Sequence, residues 1–156
     1  MKSNFNLITE LQTLTRRDFP VEDSDVLNPL SSNPLIDGEW LELNSNYRLA
    51  RGSDEGTNPL VFVVHTERGR YDTRAIGKAN VLYLGAFEAE TSVIDTTSLV
   101  QGSPLTVQTV SLGGVNKRAL KLAGATALRV IVGFVSRIYP ATGRVRFVSF
   151  GKQQVF

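Results

Sequence analysis

The sequence predicts an all-β protein, a compact antiparallel β-barrel or β-sandwich carried behind an extended N-terminal arm. Three observations predict it. The last third reads as a β-hairpin. Residues 37–128 break into short strand-like runs punctuated by turn residues. No stretch after residue 36 sustains a helical period for ten residues or more, which argues against βαβ units and a parallel sheet.

The hairpin is the clearest element. Arg129-Val-Ile-Val-Gly-Phe-Val-Ser-Arg-Ile138 and Arg144-Val-Arg-Phe-Val-Ser-Phe150 are rich in β-branched and aromatic residues, and Tyr139-Pro140-Ala141-Thr142-Gly143 between them has turn chemistry. In the second run Val145, Phe147 and Ser149 share one face, while Arg144, Arg146, Val148 and Phe150 share the other. A hairpin alone is marginal in water, so this one is expected at the edge of a larger sheet. Upstream strands are predicted over 40–43, 47–50, 60–66, 81–87, 91–94, 105–110 and 119–122, with a hairpin turn at Gly113-Gly114. No internal repeat stands out.

Residues 1–36 read differently. Phe5, Leu7, Ile8, Leu11 and Leu14 approximate helical spacing, which allows one short helix near 6–14, but the threonines are poor helix formers and Phe19-Pro20 closes the pattern. The prolines of Leu27-Asn-Pro-Leu-Ser-Ser-Asn-Pro-Leu35 favour extended backbone. The segment is therefore predicted as an arm, with residues 37–156 as the β-domain. Its recurring apolar side chains are too frequent for a solvated linker. Phe5, Leu7, Ile8, Leu11, Leu14, Phe19, Leu27 and Leu30 are its candidate partner-binding residues, ordering on another subunit or partner.

Composition bounds the chemistry. A chain of 156 residues can bury roughly two thirds of its unfolded surface without staples. It contains no cysteine, which excludes a disulfide framework, a thiolate zinc site and a cysteine nucleophile. No run reaches the ~18 apolar residues of a membrane span, and the first residues lack a signal peptide's apolar core, so the expected place of synthesis is a cytoplasm. His65 is the one histidine and sits at a strand end, where it cannot make a zinc site alone. Glu88 and Glu90 share a strand face, a pattern that is more often solvated than catalytic. Gly113-Gly114 has no following Lys-Ser/Thr or helix to cradle a phosphate. No catalytic, metal-ligating or cofactor-binding residue is therefore assigned, no cofactor is expected, and the chain is read as a non-enzyme.

Charge is unevenly spread. Residues 1–95 hold nine basic and fifteen acidic side chains, whereas eight basic residues and no acid follow Asp95. Either the two sets meet a partner of opposite sign, with Lys117, Arg118, Arg144 and Arg146 as electrostatic contacts, or they neutralise one another within the monomer. Nucleic acid is not expected, since the aromatic-interleaved basic run used for base stacking is missing; Arg144, Arg146 and Phe150 offer at most a small platform.

The layout of an arm followed by Asn80-Val-Leu-Tyr-Leu-Gly-Ala-Phe87, Val100-Gln-Gly-Ser-Pro-Leu-Thr-Val107, Val132-Gly-Phe-Val135 and Gly143-Arg-Val-Arg-Phe147 resembles the capsid decoration (cement) proteins of tailed bacteriophages. The resemblance implies a structural virion protein on the capsid exterior, commonly a homotrimer, that stabilises the shell by clamping neighbouring copies of the major capsid protein through its arm. The alternative is a glycan- or receptor-binding β-module of a phage tail or fibre, with Trp40, Tyr71 and Tyr83 as stacking candidates. Neither reading calls for a membrane.

Overall fold

The computed structural model describes residues 4–10, 14–52, 58–66, 77–124 and 129–150, together with the backbone of 154–155. The chain is all-β. Thirteen strands and one 3-10 turn, Ser24–Leu27, make up its regular structure among these residues.

The largest sheet is antiparallel and six-stranded. Its order is β1 (Phe5–Leu7), β7 (Phe87–Thr91), β12 (Arg144–Ser149), β11 (Gly133–Tyr139), β8 (Pro104–Leu112) and β9 (Val115–Leu122). The sheet curls until Ile94, just beyond β7, meets Leu120 of β9 in a parallel bridge. Inside the curl lie Phe87, Leu105, Val107, Leu120, Val135, Val145 and Phe147, all buried. The predicted alternation holds on β12, where Val145, Phe147 and Ser149 point inward. The hairpin of β11 and β12 lies at the centre of the sheet, contrary to the expected edge. Both its outer edges are paired, β12 to β7 over five residue pairs and β11 to β8 over two.

A second set of strands forms a smaller circuit. β2 (Thr15–Pro20) pairs with β6 (Lys78–Leu84), and β5 (Val61–Val63) pairs with β3 (Trp40–Leu43), which pairs with β4 (Leu49–Ala50). Bridges at Val64–Val81 and Val21–Leu49 join the two ladders. Phe19, Leu41, Leu43, Leu49, Val64 and Val81 fill the interior of this circuit. Alternate residues of the same strands, Trp40, Val61, Val63 and Leu82, point out of it and into the core of the six-stranded sheet. Trp40 lies 6.4 Å from Phe87 and 6.3 Å from Phe147, ring centre to ring centre, so the seam between the two circuits is aromatic.

The segment expected as a detachable arm is built into this body. β1 adds to the β7 edge, with Phe5 opposite Thr91 and Leu7 opposite Ala89, and Phe5 is 3% exposed in the main core. β2 lies along β6 with Phe19 buried at 1%. Leu27 is buried, and Leu7 and Leu14 pack against the core. Ile8 and Leu30 remain exposed, and Leu11 lies outside the described residues. The physical reason is edge pairing. Strand β7 offers unpaired backbone on one side, and Phe5 in, Asn6 out, Leu7 in is a strand period that reads as helical spacing only when Ile8, Leu11 and Leu14 are counted with it. The described part of 6–14 contains no helix.

The two circuits share one connectivity. In each, the first strand pairs with the fifth, the fifth meets the fourth, the fourth pairs with the second, the second with the third, and the third bridges in parallel to the continuation of the first. The sequence carries the same repeat at matching places. Gly77-Lys-Ala-Asn-Val-Leu-Tyr-Leu-Gly85 corresponds to Gly143-Arg-Val-Arg-Phe-Val-Ser-Phe-Gly151, and Gly77 and Gly143 both hold left-handed backbone, φ 76° and 65°. Val21-Glu-Asp-Ser-Asp-Val-Leu27 corresponds to Val93-Ile-Asp-Thr-Thr-Ser-Leu99. There Asp23 and Asp95 each accept from the N–H two residues on at 3.0 Å, and Leu27 and Leu99 are buried. A polar pair crosses the same rung in both, Asn80 to Asp18 at 2.7 Å and Arg146 to Glu90 at 2.6 Å. The described residues thus form two units of like connectivity, which the sequence reading missed.

Candidate docking cleft and buried ion cluster

Two features stand out at the junction of the repeats. The first is a cleft. β5 and β6 meet at the Val64–Val81 bridge, and beyond it they form opposite walls, Leu60 to Phe62 on one side and Leu82 to Leu84 on the other. Trp40 and Phe87 also line the cleft, as do Val132 and Ser149 of the second repeat, around a volume of about 390 Å3. Its lining is apolar. Leu60 and Leu84 are 50% and 54% exposed and, with Pro59 and Gly85, form the accessible part of the lining.

The second feature is an ion cluster between β3 and β9. Glu39, fully buried, accepts from Arg51 through Nε at 2.9 Å and Nη2 at 3.1 Å, from the Ile36 N–H at 3.0 Å and from the Arg118 N–H at 3.3 Å. Lys117 Nζ stands 3.8 Å from the same carboxylate and donates to the Pro34 carbonyl. Arg118 places Nη2 2.5 Å from Glu42 Oε1, with the two side chains 1% and 8% exposed. Burial pushes the Lys117 ammonium below the usual lysine range, and the neighbouring Glu39 carboxylate opposes that only in part. Glu42 is fenced in by Gly52, whose backbone is left-handed at φ 70°; a methyl group there would overlap the Glu42 carboxylate. The carboxylate of Glu39 is saturated by donors, so it is positioned to bind the two repeats together rather than to move protons.

Three of the four residues expected at an electrostatic contact, Lys117, Arg118 and Arg146, pair with acids within the chain. Lys117 and Arg118 are 5% and 1% exposed inside the cluster. Arg146 bonds Glu90 and lies 3.9 Å from Glu88, and Arg144 is half-buried at the start of β12. Lys121 lies 4.0 Å from Asp95. Four of the eight basic residues after Asp95, Lys117, Arg118, Lys121 and Arg146, thus meet acids of residues 39–95 within the chain. The Arg146 guanidinium holds the Glu90 carboxyl below its usual range, and hydrogen bonds from Thr97 do the same for Asp95.

The remaining candidates resolve plainly. His65 is half-buried with its ring 5.7 Å from that of Phe5. Trp40, a stacking candidate for sugars, is 3% exposed in the core, and Tyr71 lies outside the described residues. Tyr83 sits half-buried beside Phe19 and Phe62, with the Arg17 guanidinium 5.3 Å from its ring centre. No group of three or more metal-capable side chains occurs among the described residues, and no helix among them is long and apolar enough to cross a membrane. Leu60 and Leu84 were not singled out from sequence. The signal for Leu60 was present as an apolar residue directly after Asn58-Pro59, and for Leu84 as one directly before Gly85, both at strand ends. No family model matches the sequence, and no curated protein matches it.

Proposed function

We propose that this chain is a non-enzymatic structural module that decorates a viral shell and braces neighbouring subunits, docking through a preformed cleft instead of a trailing arm. The observation that supports it most is the pairing of Leu60 and Leu84 at the cleft. Half-exposed leucines lining an apolar concavity return about 1 kcal/mol each on full burial, roughly half the value for a wholly exposed side chain. A rigid surface of this kind loses little conformational entropy on binding, unlike an arm that must be ordered first. The sequence resemblance to capsid decoration proteins supplies the class of assembly. Its implied partner is the major capsid protein, its implied location is the capsid exterior, and its implied state is a homo-oligomer.

The test is re-addition of the purified chain to shells that lack it. The wild type is expected to bind and to raise their resistance to heat. Leu60→Asp/Leu84→Asp is expected to lose binding while keeping its own melting curve. Failure of the wild type to bind refutes the reading; binding by the double variant refutes the cleft. Deletion of the first 30 residues is not a clean test, because it removes Phe5, Phe19 and Leu27 from the core.

A second reading, a glycan-binding module of a phage tail, is favoured by one observation. Tyr47 is 51% exposed in a left-handed conformation, φ 60°, on the turn beside Arg17 and Phe19. Glycan-array binding abolished by Tyr47→Ala would support it.

A further inference from the structure

At one end the two circuits carry opposite kinds of residue. Inward positions of the first hold Arg17 on β2, Phe62 on β5 and Tyr83 on β6; the matching positions of the second hold Ala89, Gly133 and Ser149. The register makes the match. Arg17 pairs with Val81 as Ala89 pairs with Phe147, Phe62 pairs with Leu41 as Gly133 pairs with Leu105, and Tyr83 and Ser149 stand two residues before Gly85 and Gly151. The second circuit closes this end with its small residues. Ala89 and Ser149 are 0% and 5% exposed, Gly133 is buried, and a Cβ on Gly133 would overlap the Val148 carbonyl. The first circuit leaves the same end open to solvent, with Arg17 exposed and Phe62 and Tyr83 half-buried. Tyr47, 51% exposed, joins them from the turn between β3 and β4.

The open end is built around the Arg17 guanidinium. Its central carbon lies 4.8 Å from the centre of the Phe19 ring, 5.4 Å from that of Tyr47 and 5.3 Å from that of Tyr83, and Phe62 backs the cluster, stacked on Phe19. Three rings around one cation hold it in place at the surface. The same guanidinium makes no hydrogen bond or ion pair with any described residue. Asp18 beside it accepts from Asn80 at 2.7 Å, and Glu22, just past β2, accepts from Asn44 at 2.9 Å. A guanidinium presents five N–H donors in a planar fork that fits a carboxylate. Here the fork is held in place, reaches solvent and has no acid on it.

We propose that this end of the first circuit binds an acidic sugar, with the carboxylate on Arg17 and the sugar ring on Tyr47. An anionic ligand supplies the counter-charge that the chain does not. The half-exposed Tyr47 offers a flat apolar surface on which the C–H face of a sugar can rest. Charges of both signs border the site, Asp18 next to Arg17 and Arg48 next to Tyr47, all exposed. A run of phosphates would meet the Asp18 carboxylate, whereas a sugar with one carboxylate among hydroxyls finds a complement for each. The ligand class rests on the glycan reading given above and does not involve the cleft.

The test is binding of the full-length chain to an array carrying hyaluronan, alginate and sialyllactose beside neutral chitohexaose and lactose, followed by titration calorimetry of the best acidic binder. Acidic glycans are expected to bind, and neutral ones to bind about tenfold more weakly or not at all, the loss of one charge-assisted contact. Arg17→Met keeps a side chain over the rings and is expected to lose the same factor with an unchanged melting curve. Should that variant fail to fold, the ligand is altered instead: methyl esterification removes the carboxylate charge and is expected to abolish the preference. Equal binding of acidic and neutral glycans, undiminished binding by folded Arg17→Met, or a methyl ester that binds as tightly as the acid overturns the carboxylate site and leaves a glycan site standing. Equal binding of poly-glutamate overturns the sugar. Binding to no glycan at all overturns both this inference and the glycan reading.

Discussion

Arg118→Met isolates what the ion cluster does. Arg118 is 1% exposed and places Nη2 2.5 Å from Glu42, which is itself buried, and its backbone N–H also donates to Glu39. Methionine keeps most of the side-chain volume and the backbone bond, so the substitution removes the charge with little cavity. What remains is a Glu42 carboxylate in a dry site without its guanidinium. Breaking one partner of a buried pair typically costs about 3–5 kcal/mol, whereas replacing both partners by apolar residues is often neutral or better. Against a total stability typically about 5–15 kcal/mol for a domain, the single change is severe. At about 2–4 °C per kcal/mol for a chain of this size, the melting temperature should fall by about 6–20 °C. Urea unfolding followed by tryptophan fluorescence reads it directly, because Trp40, the one tryptophan, lies in the seam between the repeats. Glu42→Leu combined with Arg118→Met should recover most of the loss. A single variant that loses less than about 1 kcal/mol, or a double variant that loses as much as the single, would show that the pair does not hold the repeats together as argued.

The other expectations follow from equally local features. Phe5→Ala should lose about 3–5 kcal/mol in urea unfolding, as for other large-to-small changes in a packed core, whereas a detached arm would lose nothing. Gly52→Ala should destabilise through both its left-handed backbone and the overlap with Glu42; on a Glu42→Ala background, where the overlap is gone, the same change should add only the backbone cost of about 1–2 kcal/mol to the loss of the Arg118–Glu42 pair. Glu90 has a folded-state pKa below its unfolded value, held there by Arg146. Its contribution is therefore fully present above the unfolded carboxylate range and is lost as pH falls through the lower folded value; Glu90→Gln should flatten that acid limb in a pH series of urea midpoints.

The β-character was legible because it is written in composition and punctuation. Alternation in Arg144 to Ser149 and the glycines at 113–114 sit in single short windows, and local windows are what sequence reading sees. The placement of residues 4–20 was not legible for a physical reason. A strand of three residues such as Phe5–Leu7 has no stability of its own; it exists because β7, more than eighty residues away, leaves an edge for it. The inward placing of Lys117 and Arg118 was not legible for the same kind of reason. Val115-Asn-Lys-Arg-Ala-Leu looks like a strand with an exposed basic pair, and only the tertiary meeting of β9 with Glu39 and Glu42 turns that pair inward.

The likeness of the two circuits escaped notice because its matches are of kind and not of identity. Lysine answers arginine, valine answers phenylalanine, and Asn80 with Asp18 answers Arg146 with Glu90. What a β-circuit demands at these positions is a left-handed residue to open the fifth strand, an inward apolar side chain at every second place, and a polar rung on the outside. Many residues satisfy each demand, so identity drifts while geometry stays. The positions where the repeats depart from one another then carry the functional argument. The first repeat buries Val63 and Leu82 under the second, and two circuits in one chain can cover only one such face between them. The second repeat's face is left over, and Phe134 and Phe150 stand on it where small or polar residues would have served solubility better. The two circuits thus differ in which face a neighbour covers, a tertiary fact that no local window of sequence carries.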